Sequence, residues 1–277
     1  MAHRCLSSIG AGDLPRERSY DHEMSVDPRA ATGFAGVADE YARGRPGYPA
    51  DAIDQIVAEL ELNDASSVLD LAAGTAQVSR LIRNRVRRVI AVEPVQPMRA
   101  RITDDFPDVT VLDGAAEAIP LTDRAVDAVV VGEAFHWFAT MPATAEIARV
   151  LRLDGGLALL WNTPTWTAET THWLEDFRQI VRSHKQAAGD YPAGNERWRD
   201  EFARTELFTE LKRVEFTHTQ KLTPPDFLAL VASWSWIANL DADERQATLD
   251  DVAELIEAVN QIEIPYRTDL YLARPRA

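Results

Sequence analysis

One stretch constrains the chain more than any other: Val68-Leu69-Asp70-Leu71-Ala72-Ala73-Gly74-Thr75-Ala76. Val68 to Leu71 is a short apolar run broken only by Asp70, which suits a buried strand, and a turn of small residues follows it. From Ala76 to Arg88 the apolar residues Val78, Leu81, Ile82 and Val86 recur at helical spacing. Strand, small-residue turn and helix form the opening of a nucleotide-binding α/β unit. The free N–H groups and the dipole at such a helix start favour a polar or anionic ligand group, and small side chains let the ligand approach the backbone. The next apolar run, Arg88 to Glu93, ends in a carboxylate 23 residues after Asp70. That spacing suits an acid that accepts hydrogen bonds from both hydroxyls of a ribose.

The turn is not a dinucleotide fingerprint. Gly-x-Gly-x-x-Gly would need glycine at 72, 74 and 77, where the chain has Ala72, Gly74 and Gln77, so a pyrophosphate is disfavoured. An Asp-x-x-x-Gly turn followed by an acid at the end of the second strand resembles the class I S-adenosylmethionine-dependent methyltransferases. The similarity is greatest to the methyltransferase type 11 group, including trans-aconitate methyltransferase-like proteins. Ala72 and Ala76 stand where that family carries glycine. Alanine is expected to be tolerated at 76 with a negative φ, although its methyl would then crowd the methionine part of the cofactor. These two alanines keep a second hypothesis open: a non-catalytic binding protein that retains the fold.

The resemblance implies an α/β, Rossmann-like class I methyltransferase fold. That is a mostly parallel seven-stranded sheet with helices on both faces and C-terminal helical insertions. It also implies S-adenosyl-L-methionine as cofactor, contacted by Asp70, Ala72, Gly74, Glu93 and Pro94. The string Tyr41…Arg45-Pro46-Gly47-Tyr48-Pro49 resembles a family segment that lies over the cofactor pocket, which makes Tyr41 and Arg45 candidates. Ala116-Glu117-Ala118-Ile119-Pro120 resembles the segment beside the adenine ring, with Ala115 and Ala116 against the base. Val126 to Val131 reads as a central parallel strand covered on both faces, and it runs into Gly132-Glu133-Ala134-Phe135-His136-Trp137-Phe138. Ligands of open α/β sheets bind beyond the carboxyl ends of the strands, so Glu133 is a cofactor candidate and His136 and Trp137 fall where a methyl acceptor sits. The Ala-Phe-His-Trp-Phe string is typical of this family branch. His136 is the candidate general base, with a purely structural histidine as the alternative. Near the end, Pro265-Tyr266-Arg267-Thr268 also resembles the family and makes Tyr266 and Arg267 acceptor candidates.

Composition narrows the partners. A net charge of −15 disfavours phosphate backbones and anionic membranes. A local basic pocket can still hold a small anion. Cys5 is the only cysteine, so there is neither an intrachain disulfide nor a thiol metal cluster, and the six histidines lack paired ligand spacing. No metal is expected. No apolar run spans a bilayer and no signal-like h-region opens the chain, which points to a cytoplasmic protein acting on a small molecule. Nothing in the chain signals an oligomeric state.

Residues 1–30 read as a flexible tail and 31–277 as one methyltransferase domain. Within it the cofactor-binding core covers about 34–162 and an acceptor-side part about 163–277. Asp154-Gly155-Gly156 predicts the end of a helix over 143–153, followed by a fifth strand over 157–161. Beyond Asn162 the pattern gives helices at about 169–184, 196–205, 225–235 and 243–261, with strands at 211–219 and 262–272. Six of the seven tryptophans lie at or beyond Trp161, and packing is the expected role for most of them. Methyl transfer from a sulfonium is an in-line displacement that asks the protein for orientation and a dry pocket. A carboxylate acceptor needs no base, whereas a phenol or an amine does.

Overall fold

The computed structural model describes residues 33–167, 171–187 and 197–276. The expected tail therefore lies outside the described residues. Among the described residues seven strands form one sheet: β1 (Ser67–Leu71), β2 (Arg88–Val92), β3 (Thr110–Leu112), β4 (Val126–Gly132), β5 (Leu151–Pro164), β6 (Lys212–Leu222) and β7 (Ile262–Ala273). Their order is β3-β2-β1-β4-β5-β7-β6. The pairs from β3 through to β5 are parallel, and β7 runs antiparallel between β5 and β6. This is the Rossmann-like class I methyltransferase arrangement.

The central parallel strands β1, β2 and β4 are mostly apolar because helices cover both faces. Every residue of β1 is buried. One face packs on α2 (Ala50–Glu59), α3 (Ser79–Ile82) and α4 (Gln96–Asp105), through Ile53, Ile56, Ile82 and Ile102. The other packs on α5 (Met141–Val150) and α7 (Arg197–Arg204), through Ile147, Val150, Trp198 and Phe202. A third cluster joins α6 (Leu174–Ala187), α8 (Pro224–Ala232), α9 (Ser235–Ala238) and α10 (Ala242–Leu255) to the start of β7. Thr223 caps α8 by accepting the Asp226 N–H, as the Thr-Pro-Pro-Asp string suggests.

Three expectations are corrected. The helix after the first turn covers only Ser79–Ile82 instead of 76–88, because Ala76 has φ 66 and a right-handed helix cannot begin there. The helix expected over 143–153 ends at Val150, and β5 starts at once with Leu151. Gly155 and Gly156 lie inside that strand beside a register shift against β4, so they do not stop a helix. A Cβ on Gly155 would meet the Asp127 carbonyl oxygen at 2.7 Å, so that glycine is required for close packing.

The order places β1 beside β4, with the chain moving outward to opposite edges from that pair. Loops leaving the carboxyl ends of such a pair diverge and leave a crevice. Before the sheet, α1 (Ala38–Gly44) and the strap 45–49 cross over this crevice.

Candidate functional site

Two cavities meet at the carboxyl ends of β1 and β4. The first, about 810 Å³, is bounded by the turn at 72–74, by Glu93 and Met98, by Ala115 and Ala116, and by Trp137. The second, about 740 Å³, is bounded by Arg45, Tyr48, Asp70, Gln77, Asn162, Trp166, Trp234 and Tyr266. Tyr41, Ala72, Gly132 and Glu133 line both.

The turn owes its shape to alternation. Ala72, Gly74 and Ala76 have φ 55, 57 and 66, so every second residue is left-handed. An alanine held there costs about 1–2 kcal/mol that a glycine avoids. The negative φ expected of Ala76 is thus wrong. The crowding argument fails as well: Ala76 is fully buried, packs in the core against α2 and α3, and lines neither cavity. Ala72 does line both.

Three carboxyls hold this turn and its surroundings. Asp70 Oδ2 accepts from Ser79 N at 2.9 Å and Ser79 Oγ at 2.6 Å, which ties β1 to the start of α3. Burial pushes the Asp70 carboxyl up to about 7 against those bonds. Glu93 Oε2 accepts from Gly74 N and Oε1 from Val95 N, each at 2.9 Å. Its carboxylate is therefore fixed at the wall of the first cavity, with lone pairs left for ribose hydroxyls. Burial raises it to about 6. Glu133, left-handed at φ 58, accepts the Asn162 N–H through Oε1, and burial raises it to about 7 while Arg45 opposes the shift.

Tyr41 of α1 covers the turn. A Cβ built on Gly74 would lie 3.6 Å from its ring. The Arg45 guanidinium sits 4.9 Å from the centre of that ring and donates to Ser233 Oγ at 2.9 Å and Ser233 O at 2.7 Å. Arg45 lines the second cavity, where it is the only cationic side chain among the described residues. Asn162 Nδ2 donates to Gly47 O at 3.0 Å and pins the strap, while Thr268 Oγ1 fixes Asn162 Oδ1 at 2.6 Å.

The other candidates separate. Pro94, Ala115 and Ala116 line the first cavity, and so does Trp137, which was expected on the acceptor side. His136 lines neither cavity: it lies on the 3₁₀ turn Phe135–Trp137 and its Nδ1 accepts from Trp161 Nε1 at 3.2 Å. Burial lowers it to about 4, so it is neutral near pH 7. Tyr266 lines the second cavity. Arg267 points to the other face of β7, where it pairs with Asp269 at 3.1 Å and Glu215 at 3.4 Å. Sequence reasoning missed Gln77, Tyr48, Asn162, Trp166 and Trp234 as cavity residues. Gln77 carries the plainest sign of a ligand: its Oε1 is buried and has no hydrogen-bond partner among the described residues.

A family model described as a methyltransferase domain matches residues 69–159, from β1 to most of β5. An uncharacterized methyltransferase of Mycobacterium tuberculosis is 36% identical over 241 residues, covering 85% of this chain and 92% of its own length. The chain belongs to the class I methyltransferases that use S-adenosylmethionine. An uncharacterized methyltransferase-like protein of Schizosaccharomyces pombe is 34% identical over 83% of this chain and 90% of its own. The malonyl-[acyl-carrier protein] O-methyltransferase of Serratia marcescens is 29% identical over 71% and 75% of the two chains. A solved structure from Anaeromyxobacter dehalogenans, described as a type II methyltransferase, superposes with a TM-score of 0.62 at 21% identity. It covers 83% of this chain and 97% of that one, and the likeness supports the fold.

The residues present fit the cofactor of this class. The first cavity offers a fixed carboxylate beside small residues, as an adenosine needs. The adjoining wall of the second has two acceptor groups, the Asp70 carboxyl and Gln77 Oε1, and an ammonium beside them favours the ionised form of Asp70, while the Arg45 guanidinium suits a carboxylate. Among the described residues no cluster could hold a metal ion, and no helix is long and apolar enough to cross a membrane.

Proposed function

We propose that this methyltransferase binds S-adenosylmethionine with its adenosine in the first cavity and its amino-acid end at the near wall of the second, and methylates a small molecule held in the rest of the second cavity. When bound, the cofactor supplies an activated methyl group. Glu93 accepts from the ribose hydroxyls, Asp70 and Gln77 accept from the ammonium, and Arg45 holds the carboxylate. Tyr41, with the strap pinned by Asn162, excludes water and sets the line of attack across Ala72 and Glu133.

The observation that carries the small-molecule reading is the second cavity itself. It adjoins the first through four shared residues and is closed by α1, the strap, Trp166, Trp234 and Tyr266. A net charge of −15 argues against nucleic acid. The test has two parts. Calorimetry should show S-adenosylhomocysteine binding and NAD not binding. Methyl-labelled S-adenosylmethionine, incubated with the protein and a cell extract, should then put label in the fraction that passes a small-molecule filter. Label retained with protein instead would favour a carrier-bound acceptor of the kind for which the Serratia marcescens relative is named.

A further inference from the structure

We propose that the methyl acceptor is an amine, held as its ammonium between the aromatic walls of the second cavity and the Glu133 carboxylate, and that Glu133 removes the proton the nitrogen must lose. The inference rests on the second cavity being the acceptor site.

Position comes first. Glu133 lines both cavities, so it stands where the acceptor atom and the methyl group must meet. Its Oε1 is fixed by the Asn162 N–H, and among the described residues its Oε2 takes no hydrogen bond. The residue is held in the left-handed region at φ 58, a strain that a turn needs a reason to retain. The histidine that the sequence suggests as base lies outside both cavities, with its Nδ1 committed to Trp161.

Charge then selects the acceptor. The only cation among the described lining residues is Arg45, pinned by Ser233 and placed to hold the cofactor's carboxylate. An anionic acceptor would face Glu133 and Asp70 with no counter-charge of its own. An ammonium meets a carboxylate and a wall that includes the aromatic rings of Trp166, Trp234 and Tyr266, a residue type that attracts cations. The titratable groups that line the two cavities with Glu133 are Tyr41 from α1, Arg45 and Tyr48 from the strap, Asp70 from β1, Glu93 just after β2, Glu117 after β3 and Tyr266 from β7. Burial holds its carboxyl near 7, close to the working range of a base.

The step balances. One N–H proton of the ammonium passes to Glu133 Oε2. The freed nitrogen lone pair forms the N–C bond to the methyl carbon as the C–S bond breaks. The electron pair of that bond stays on sulfur, which turns from sulfonium to thioether, and the product leaves as a methylammonium. Glu133 then returns its proton to water.

The experiment follows tryptophan fluorescence in the S-adenosylhomocysteine complex, titrated with benzylamine, its neutral isostere benzyl alcohol, and benzoate. Benzylamine should bind at least tenfold tighter than the alcohol, with benzoate weakest. Glu133→Gln should reduce the amine preference to under threefold while the S-adenosylhomocysteine affinity moves by less than threefold, which also reports that the variant is folded. Glu133→Asp should keep part of the preference. Benzoate binding as well as benzylamine, no discrimination among the three, or a preference that survives Glu133→Gln would each overturn the proposal. So would a more than tenfold loss of S-adenosylhomocysteine affinity in a folded Glu133→Gln protein, since Glu133 would then be a cofactor ligand. Failure of the unaltered protein to bind S-adenosylhomocysteine would show before any probe is added and would remove the functional reading itself.

Discussion

The two cavities share four residues and are built in opposite ways. The first draws almost all of its wall from one continuous segment between Leu71 and Phe138, where strand ends follow each other in chain order. The second draws on the strap near 45–48, the first turn, Asn162 to Trp166, α8 near Leu230, and Ile264 with Tyr266 of β7. Apart from Phe34 and Tyr41, the first is made by the parallel sheet and its loops. The second exists only once β7 has inserted antiparallel between β5 and β6 and α8 has packed under the strap. A wall made by consecutive strand ends is fixed by the sheet register. A wall made from distant segments can change with each inserted helix while the cofactor site stays intact.

The largest way to break that comparison is at Glu93. Its carboxylate ties β2 to the first turn through Gly74 and Val95 and faces the first cavity only. Glu93→Ala leaves the buried Val95 N–H and the part-buried Gly74 N–H without acceptors, at about 1–3 kcal/mol for the buried one and less for the other, and removes the ribose contacts. S-adenosylhomocysteine affinity should fall tenfold or more by calorimetry, with a clear loss of thermal stability. The benzylamine response of the second cavity, measured without cofactor, should change by less than threefold. An equal loss in both would show that the cavities are one site.

The difference in construction also decides what the sequence could reveal. Asp70, Gly74 and Glu93 were legible because strand, turn and acid are close in the chain and their spacing has a mechanism. The φ values of Ala72 and Ala76 were not, since alanine announces no left-handed backbone in the way glycine does. His136 was misplaced for a related reason: its position past β4 is right, but a 3₁₀ turn swings the ring toward Trp161, a partner 25 residues away. Of Tyr266 and Arg267 only one can face the cavity. The alternation of Ile264, Tyr266 and Thr268 along β7 already favours the tyrosine. Asn162, Trp166 and Trp234 carry no local signal, because their partners come from the strap and the C-terminal helices.

A pH experiment sharpens the comparison at the seam between the cavities. Burial raises Asp70 to about 7, well above its value of 3.8 in the unfolded chain. A carboxyl so raised keeps its full contribution to stability below the unfolded value and loses it as pH rises through the folded one, because the native state then binds the extra proton. Asp70→Asn mimics the neutral form and keeps an oxygen for Ser79. Its melting temperature relative to the unaltered protein should therefore rise between pH 5 and pH 8. A difference that is flat across that window would mean Asp70 is ionised in the folded chain throughout.

The smallest effect is expected at Ala76, and its contrast with Gly74 tests how the turn is built. Both residues are left-handed, at φ 66 and φ 57. Gly74→Ala adds about 1–2 kcal/mol of backbone strain, offset in part by a stiffer unfolded chain worth about 0.4–1 kcal/mol. The added methyl meets Tyr41 at 3.6 Å, an ordinary contact, so the net loss should be near 1 kcal/mol without a clash. Its more visible effect is on the cofactor, since Gly74 and Tyr41 both line the first cavity. Ala76→Gly works in reverse. It relieves about 1–2 kcal/mol of strain, loses a buried methyl worth about 0.8 kcal/mol, and loosens the unfolded chain by about 0.4–1 kcal/mol. These terms nearly cancel, and the Ala76 side chain reaches neither cavity, so urea denaturation should show little change and S-adenosylhomocysteine affinity should hold within twofold. A large gain in affinity in Ala76→Gly would mean that the Ala76 methyl had been obstructing the cofactor after all. The two alanines would then mark a weakened site.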